Sequence, residues 1–167
     1  MVFENAIANM PPEQKNEITE MDTHLKTLRP LKFKRAVDKN GKKITYTAPD
    51  FGISYAIMLP DEKALHHFGW YYIYDKQTQK WGRKPDYLVE TLEEIAKTNP
   101  QMAERLFNAL KECTSCKTDT SCGKISYTYN GQAQVSCYGR VVLRICSDDF
   151  NDARTFFTTL NTLLEQK

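Results

Sequence analysis

The sequence predicts an α+β domain, and three observations predict it. Apolar residues recur at helical spacing near both ends of the chain and in two short segments between residues 85 and 110. The period changes to two from Leu31 onward. Two Asn-Gly dipeptides, Asn40-Gly41 and Asn130-Gly131, each separate a pair of strand-like runs. Helices at the ends and centre with hairpins between them imply a largely antiparallel sheet, of about six or seven strands in two groups. At 167 residues, with no linker or low-complexity stretch, the chain is expected to form one domain over 1–167.

After a short apolar start at Val2, Phe3 and Ile7, Pro11-Pro12 opens a helix whose apolar positions are Ile18, Met21, Leu25 and Leu28. Pro30 stops it, and Glu13, Lys15, Glu17, Glu20 and Lys26 form the solvated side. Leu31–Val37 and Lys43–Ala48 then make a hairpin. With Asn40 and Gly41 in the turn, Val37 lies opposite Ile44, Arg35 opposite Tyr46 and Phe33 opposite Ala48, which gives one largely apolar face needing a cover. Gly52–Leu59 is nearly continuous in apolar residues and reads as a central strand. His67–Tyr74 follows as the most aromatic one, with Phe68, Trp70, Tyr72 and Tyr74 on one face.

Residues 75–80 read as an exposed turn leading to Trp81 and to Arg83 and Lys84. Pro85-Asp86 starts a helix with Tyr87, Leu88, Leu92 and Ile95 on one side. Asn99-Pro100 caps and starts a second, with Met102, Leu106, Phe107 and Leu110, which is expected to run directly into Cys113. Lys124–Tyr129 and Gln132–Ile145 form the second hairpin. A last helix, capped by Ser147 or Asp149, carries a wide apolar stripe through Phe150, Phe156, Phe157 and Leu160 and covers a sheet face. The two halves echo one another faintly in their Asn-Gly hairpins, but such turns are common enough that chance accounts for the echo.

Composition narrows the function classes. The 23 Lys and Arg nearly balance 21 Asp and Glu, so the overall charge gives no reason to expect nucleic acid as a partner. No apolar run is long enough for a membrane span, and the opening Met-Val-Phe-Glu-Asn lacks the basic-then-apolar layout of a signal peptide. A cytoplasmic location is the expectation. There, clustered cysteines point to metal or redox chemistry rather than to structural disulfides.

All five cysteines fall between Cys113 and Cys146. Zinc takes four soft ligands in a tetrahedron, and Cys113-Thr-Ser-Cys116 at a helix end presents two of them from one tight turn. With Asn130 and Gly131 in the hairpin turn, Lys124 lies opposite Cys137. Cys122 is then a diagonal neighbour of Cys137 at roughly 7–8 Å, a span that favours a shared metal over a direct disulfide. The expected metal ligands are Cys113, Cys116, Cys122 and Cys137. Cys146, nine residues beyond Cys137 on what reads as the same strand, points the other way unless a bulge at Gly139 resets the alternation, and reads as a buried small residue.

The aromatic run offers a second surface. Trp70, Tyr72, Tyr74 and Trp81 with Arg83 are the expected ligand-binding residues, since such side chains combine π faces with polar tips and a charged rim; core packing is the plainer reading of the aromatics. No nucleophile elbow, phosphate-binding glycine loop, zinc-protease helix or dinucleotide fingerprint is present. The expected function is a cytoplasmic, non-catalytic binding or regulatory protein with a structural zinc, its partner a small molecule or protein. A thiol-based redox sensor is one alternative. Another is a small-ligand enzyme with His66 or His67 as base, although adjacent histidines point to opposite sides of a strand and read better as non-catalytic.

Overall fold

Both Asn-Gly hairpins form, in the registers that their turn chemistry dictates. The computed structural model describes residues 2–59, 65–71, 73–75, 80–82, 87–111, 124–137, 140–145 and 150–167. Strand β1 (Lys34–Val37) pairs with β2 (Lys43–Ala48) so that Val37 meets Ile44 and Arg35 meets Tyr46. Phe33 lies just before the ladder, where it packs edge-on against Phe157. The loop is held by Asp38, whose Oδ1 accepts from the backbone N–H of Lys42 at 2.6 Å and of Lys43 at 2.9 Å. Gly41 takes the left-handed φ of 67° that the turn requires. In the second hairpin, β7 (Lys124–Tyr129) pairs with β8 (Gln132–Cys137) around Asn130 and Gly131, at φ 52° and 75°.

Strand β3 (Ile53–Met58) lies between β2 and β4 (Leu65–Tyr71), the interior place that its apolar run implies. The 65–75 region differs from expectation. One strand over His67–Tyr74 is replaced by β4, ending at Tyr71, and by β5 (Ile73–Asp75), which pairs with β6 (Lys80–Gly82) in a separate two-stranded sheet. The Gln132–Ile145 run also divides. The chain reverses between Cys137 and Arg140, which pair with each other, and β9 (Arg140–Ile145) returns to lie against β4. The resulting antiparallel sheet has the order β1-β2-β3-β4-β9-β8-β7, so the two strand groups join through β4 and β9.

The helices cover one face. Burial alternates along β2 and β3, with Ile44, Tyr46, Ala48, Ile53, Tyr55 and Ile57 inward, and the register carries that face on to Leu143, Tyr127 and Tyr129. After a four-residue α1 (Phe3–Ala6), α2 (Pro12–Thr27) places Ile18, Met21 and Leu25 in the core. Pro is tolerated at its first position because the N–H there would have no helical partner. The central pair is α3 (Leu88–Ala96) and α4 (Pro100–Asn108), the latter capped by Asn99 Oδ1 accepting from Met102 N–H at 3.0 Å. The second helix stops before the cysteines instead of running into them. Leu110 instead forms a β-bridge with Leu143. Helix α5 (Phe150–Glu165) packs against α2 and α3, with Phe150, Phe156, Phe157 and Leu160 buried.

Candidate functional site

Helix α2 and strands β1–β4 build a buried polar and aromatic ladder that the apolar pattern conceals. Asp22 lies on the stripe with Ile18 and Leu25, four residues after one and three before the other, and is buried with them. Its Oδ2 accepts from Arg35 Nη1 at 2.7 Å and from Lys26 Nζ at 2.6 Å, and its Oδ1 from the Tyr46 hydroxyl at 3.0 Å. The Arg35 guanidinium also lies 4.2 Å from the centre of the Phe3 ring, which holds α1 against β1.

Tyr46 stacks on Tyr55 with 5.8 Å between ring centres, and the Tyr55 hydroxyl shares a 2.5 Å hydrogen bond with His66 Nδ1. Phe150 meets the His66 ring edge-on at 4.3 Å. Burial pushes the ionisation of Tyr46 well above the ordinary phenol range, with the neighbouring Asp22 carboxylate adding to the effect. Tyr55 is raised too, by burial and then by Tyr46. Both phenols therefore stay protonated and act as hydrogen-bond groups. His66, one of the two candidate bases, is fully buried in this ladder.

A groove of about 370 Å³ runs between α2 and α5, lined by Thr19, Glu20, Thr23, His24, Thr27 and Arg154. Its polar groups largely satisfy one another. The three threonine hydroxyls donate to the carbonyls of Lys15, Thr19 and His24, and Arg154 Nη2 lies 3.3 Å from Glu20 Oε2. Thr158 Oγ1 donates to the Arg154 carbonyl at 2.8 Å, which leaves its oxygen to accept from His24 Nε2–H at 3.0 Å. Burial and the charge of Arg154 lower the pKa of His24, against the opposing influence of the Arg154 carbonyl. The groove is a helix seam with its own internal bonding.

Of the expected metal ligands, Cys137 ends β8 opposite Lys124, as the hairpin register requires, while Cys113, Cys116 and Cys122 lie outside the described residues, as does Cys146. Among the described residues no three His, Cys, Asp or Glu gather in a metal-binding group. Two anchors frame the segment that carries the other three cysteines. On one side, the Lys111 carbonyl accepts from Ser136 Oγ at 3.4 Å; on the other, Lys124 pairs with Cys137. Both anchors sit at the same end of β8.

No family model matches the chain, and no curated protein or solved structure matches it. The functional reading therefore rests on the chain's own residues. Of the expected ligand-binding residues, Trp70 is in β4, paired with Ile53 and Val141, while Tyr74 and Trp81 pair with each other across β5 and β6. The backbone thus assigns them to two different sheets. Tyr72 and Arg83 lie outside the described residues. No helix among the described residues is long and apolar enough to cross a membrane.

The ladder escaped the sequence reading although it left a signal. An Asp on the apolar stripe of α2, and an Arg–Tyr pair on the apolar face of a hairpin, are polar groups that each need a buried partner.

Proposed function

We propose that this is a non-catalytic binding or regulatory protein of the cytoplasm whose C-terminal hairpin is secured by a structural zinc ion, with Cys113, Cys116, Cys122 and Cys137 as the four thiolate ligands. The observation that carries the reading is the convergence of Lys111 and Lys124 on the Ser136–Cys137 end of β8. Cys113 follows Lys111 by two residues and Cys122 precedes Lys124 by two. Two residues of chain span at most about 7 Å, a separation compatible with both thiols reaching a metal shared with Cys137, which supports the reading. Cys116 joins Cys113 through the two-residue spacing of a zinc knuckle. In such a closed site the metal contributes folding free energy and leaves no open position for catalysis. Binding would fall to the aromatic positions Trp70, Tyr72, Tyr74 and Trp81, with Arg83 at their rim.

The test is metal content and free-thiol count on protein purified without added metal or a polyhistidine tag, with Cys137→Ser alongside. About one zinc per chain is expected, with thiols protected until a chelator is added. Cys137→Ser should lose the metal and melt at a clearly lower temperature. Metal-free protein with paired thiols would replace this reading with a redox sensor, and a nearly neutral Cys137→Ser melt would remove the site altogether.

A further inference from the structure

Strand β1 ends the seven-stranded sheet, and among the described residues no strand pairs with its outer edge. The Asp38 N–H donates to the Lys43 carbonyl at 3.0 Å, which fixes the bonding phase of the β1–β2 ladder. Because that phase alternates along an antiparallel pair, Lys34 and Ala36 turn their backbone groups to β2 while Arg35 and Val37 turn theirs outward. Among the described residues no backbone group of Arg35 or Val37 is bonded on that side. Their N–H and C=O groups are open to a chain running alongside.

Charge is concentrated on the same stretch. Residues 29–43 hold seven basic residues against the single acid Asp38, a balance of +6 in 15 residues. With 23 basic and 21 acidic residues in all, the other 152 carry 16 against 20, a balance of −4. Arg35 is paired with Asp22, and Asp38 turns its carboxylate to the amides of Lys42 and Lys43. The other six, Arg29, Lys32, Lys34, Lys39, Lys42 and Lys43, are exposed, and among the described residues none forms a salt bridge. The two faces of the edge also differ. Lys34 and Ala36 are exposed on the face away from the helices, whereas Val37 is half-buried on the helix side, opposite the buried Ile44.

We infer that β1 docks an extended acidic segment of a partner protein, which adds to the sheet as its outermost strand. Main-chain bonds to Arg35 and Val37 would hold the segment, and the unpaired lysines and Arg29 would select acidic side chains. An alternation of acidic and apolar residues fits the two faces, the acids beside Lys34 and the apolar residues beside Val37. The ladder of β1 is about 14 Å long and suits a short segment. Nucleic acid or an anionic lipid surface fits less well, because their phosphates would meet outward carbonyl oxygens that a peptide strand satisfies with its N–H groups. A second copy pairing through its own β1 would set lysine against lysine. The inference goes beyond the binding role proposed above and involves neither the zinc nor the aromatic positions.

The experiment titrates the intact protein against a labelled twelve-residue peptide of alternating Glu and Val. The comparisons are the same peptide with Gln for Glu, the same peptide N-methylated throughout, and a twelve-nucleotide oligodeoxythymidylate. Saturable binding of the Glu peptide is expected, with at least about tenfold weaker binding of both altered peptides. Hydrogen exchange of the wild type should show new protection at the amides of Arg35 and Val37 on binding. The affinity should fall at least about tenfold in Lys34→Glu/Lys43→Glu, and little in Lys15→Glu/Lys167→Glu, which changes net charge equally away from the edge. The exchange readout is made on the wild type and does not depend on either variant folding. Absent binding, equal loss in both variants, undiminished binding of the N-methylated peptide, tighter binding of the oligonucleotide, or no protection at Arg35 and Val37 would each overturn the inference. Metal content measured on the same samples keeps the two proposals separate, since either can fail while the other stands.

Discussion

Asp22 shows how one residue sets a constraint on its neighbours. Its carboxylate is the shared acceptor for Arg35, Lys26 and Tyr46, and it ties α2 to β1 and β2. The ion pair with Lys26 adds little, because that side chain is 54% exposed. Arg35 is 26% exposed and Asp22 only 6%, so removing the carboxylate leaves a half-shielded guanidinium and a buried hydroxyl without their acceptor. Asp22→Ala should cost about 2–3 kcal/mol, below the roughly 3–5 for breaking a fully buried pair. Tyr46→Phe, which removes one neutral donor, should cost about 1 kcal/mol. The double change Asp22→Ala/Tyr46→Phe should cost less than the sum, since the two share a bond. Urea unfolding of the three variants measures this. An additive double variant would show that the buried hydrogen bond contributes nothing to stability.

Between elements, the seam of α2 and α5 carries a titration. His24 is held neutral by burial and by Arg154, with Glu20 the carboxylate on the same seam, paired to Arg154. Its folded pKa lies below the free value of 6.5, so the unfolded chain binds the proton more readily. The contribution of His24 is therefore complete above about pH 6.5 and is lost as pH falls through the lowered folded value. His24→Gln should flatten the stability profile below about pH 6.5, while Arg154→Gln should bring the His24 pKa back toward 6.5 by NMR titration. An unchanged slope in His24→Gln would assign the acid sensitivity to other groups. Elements themselves were legible wherever local chemistry dictates geometry. Asn-Gly turns specified Arg35 opposite Tyr46 and Lys124 opposite Cys137, and Pro11-Pro12 and Asn99-Pro100 marked helix starts. The reversal between Cys137 and Arg140 was not legible, because no Asn-Gly or proline marks it and a lone Gly139 reads equally well as a bulge. The division between β4 and β5 likewise interrupts an aromatic run whose alternation continues straight through it.

For the molecule as a whole, the sheet order makes one half depend on fewer attachments than the other. Strands β2, β3, β4 and β9 are joined by ladders of six paired positions each, beneath α2 and α5. The β7–β8 hairpin meets β9 through the single described pair Cys137–Arg140. Among the described residues it also contacts α3, α4 and the residues after α4, with Phe107 against Tyr129 at 5.5 Å between ring centres, Gln134 to Asn108, and Ser136 to Lys111. The sheet order and the side-chain anchors could not be read from the sequence, since both depend on which edges meet across long separations. Proteins open in cooperative units ranked by such attachments. Backbone amides of β7 and β8 should thus exchange through a lower-energy opening than those of β3 and β4, and native-state hydrogen exchange can rank them. If a metal at the four cysteines secures the hairpin, a chelator should lower protection in β7 and β8 first and leave β3 and β4 nearly unchanged at low denaturant. Uniform loss across all four strands would mean that the sheet opens as one unit, and that the metal, where present, stabilises the whole molecule and not this hairpin.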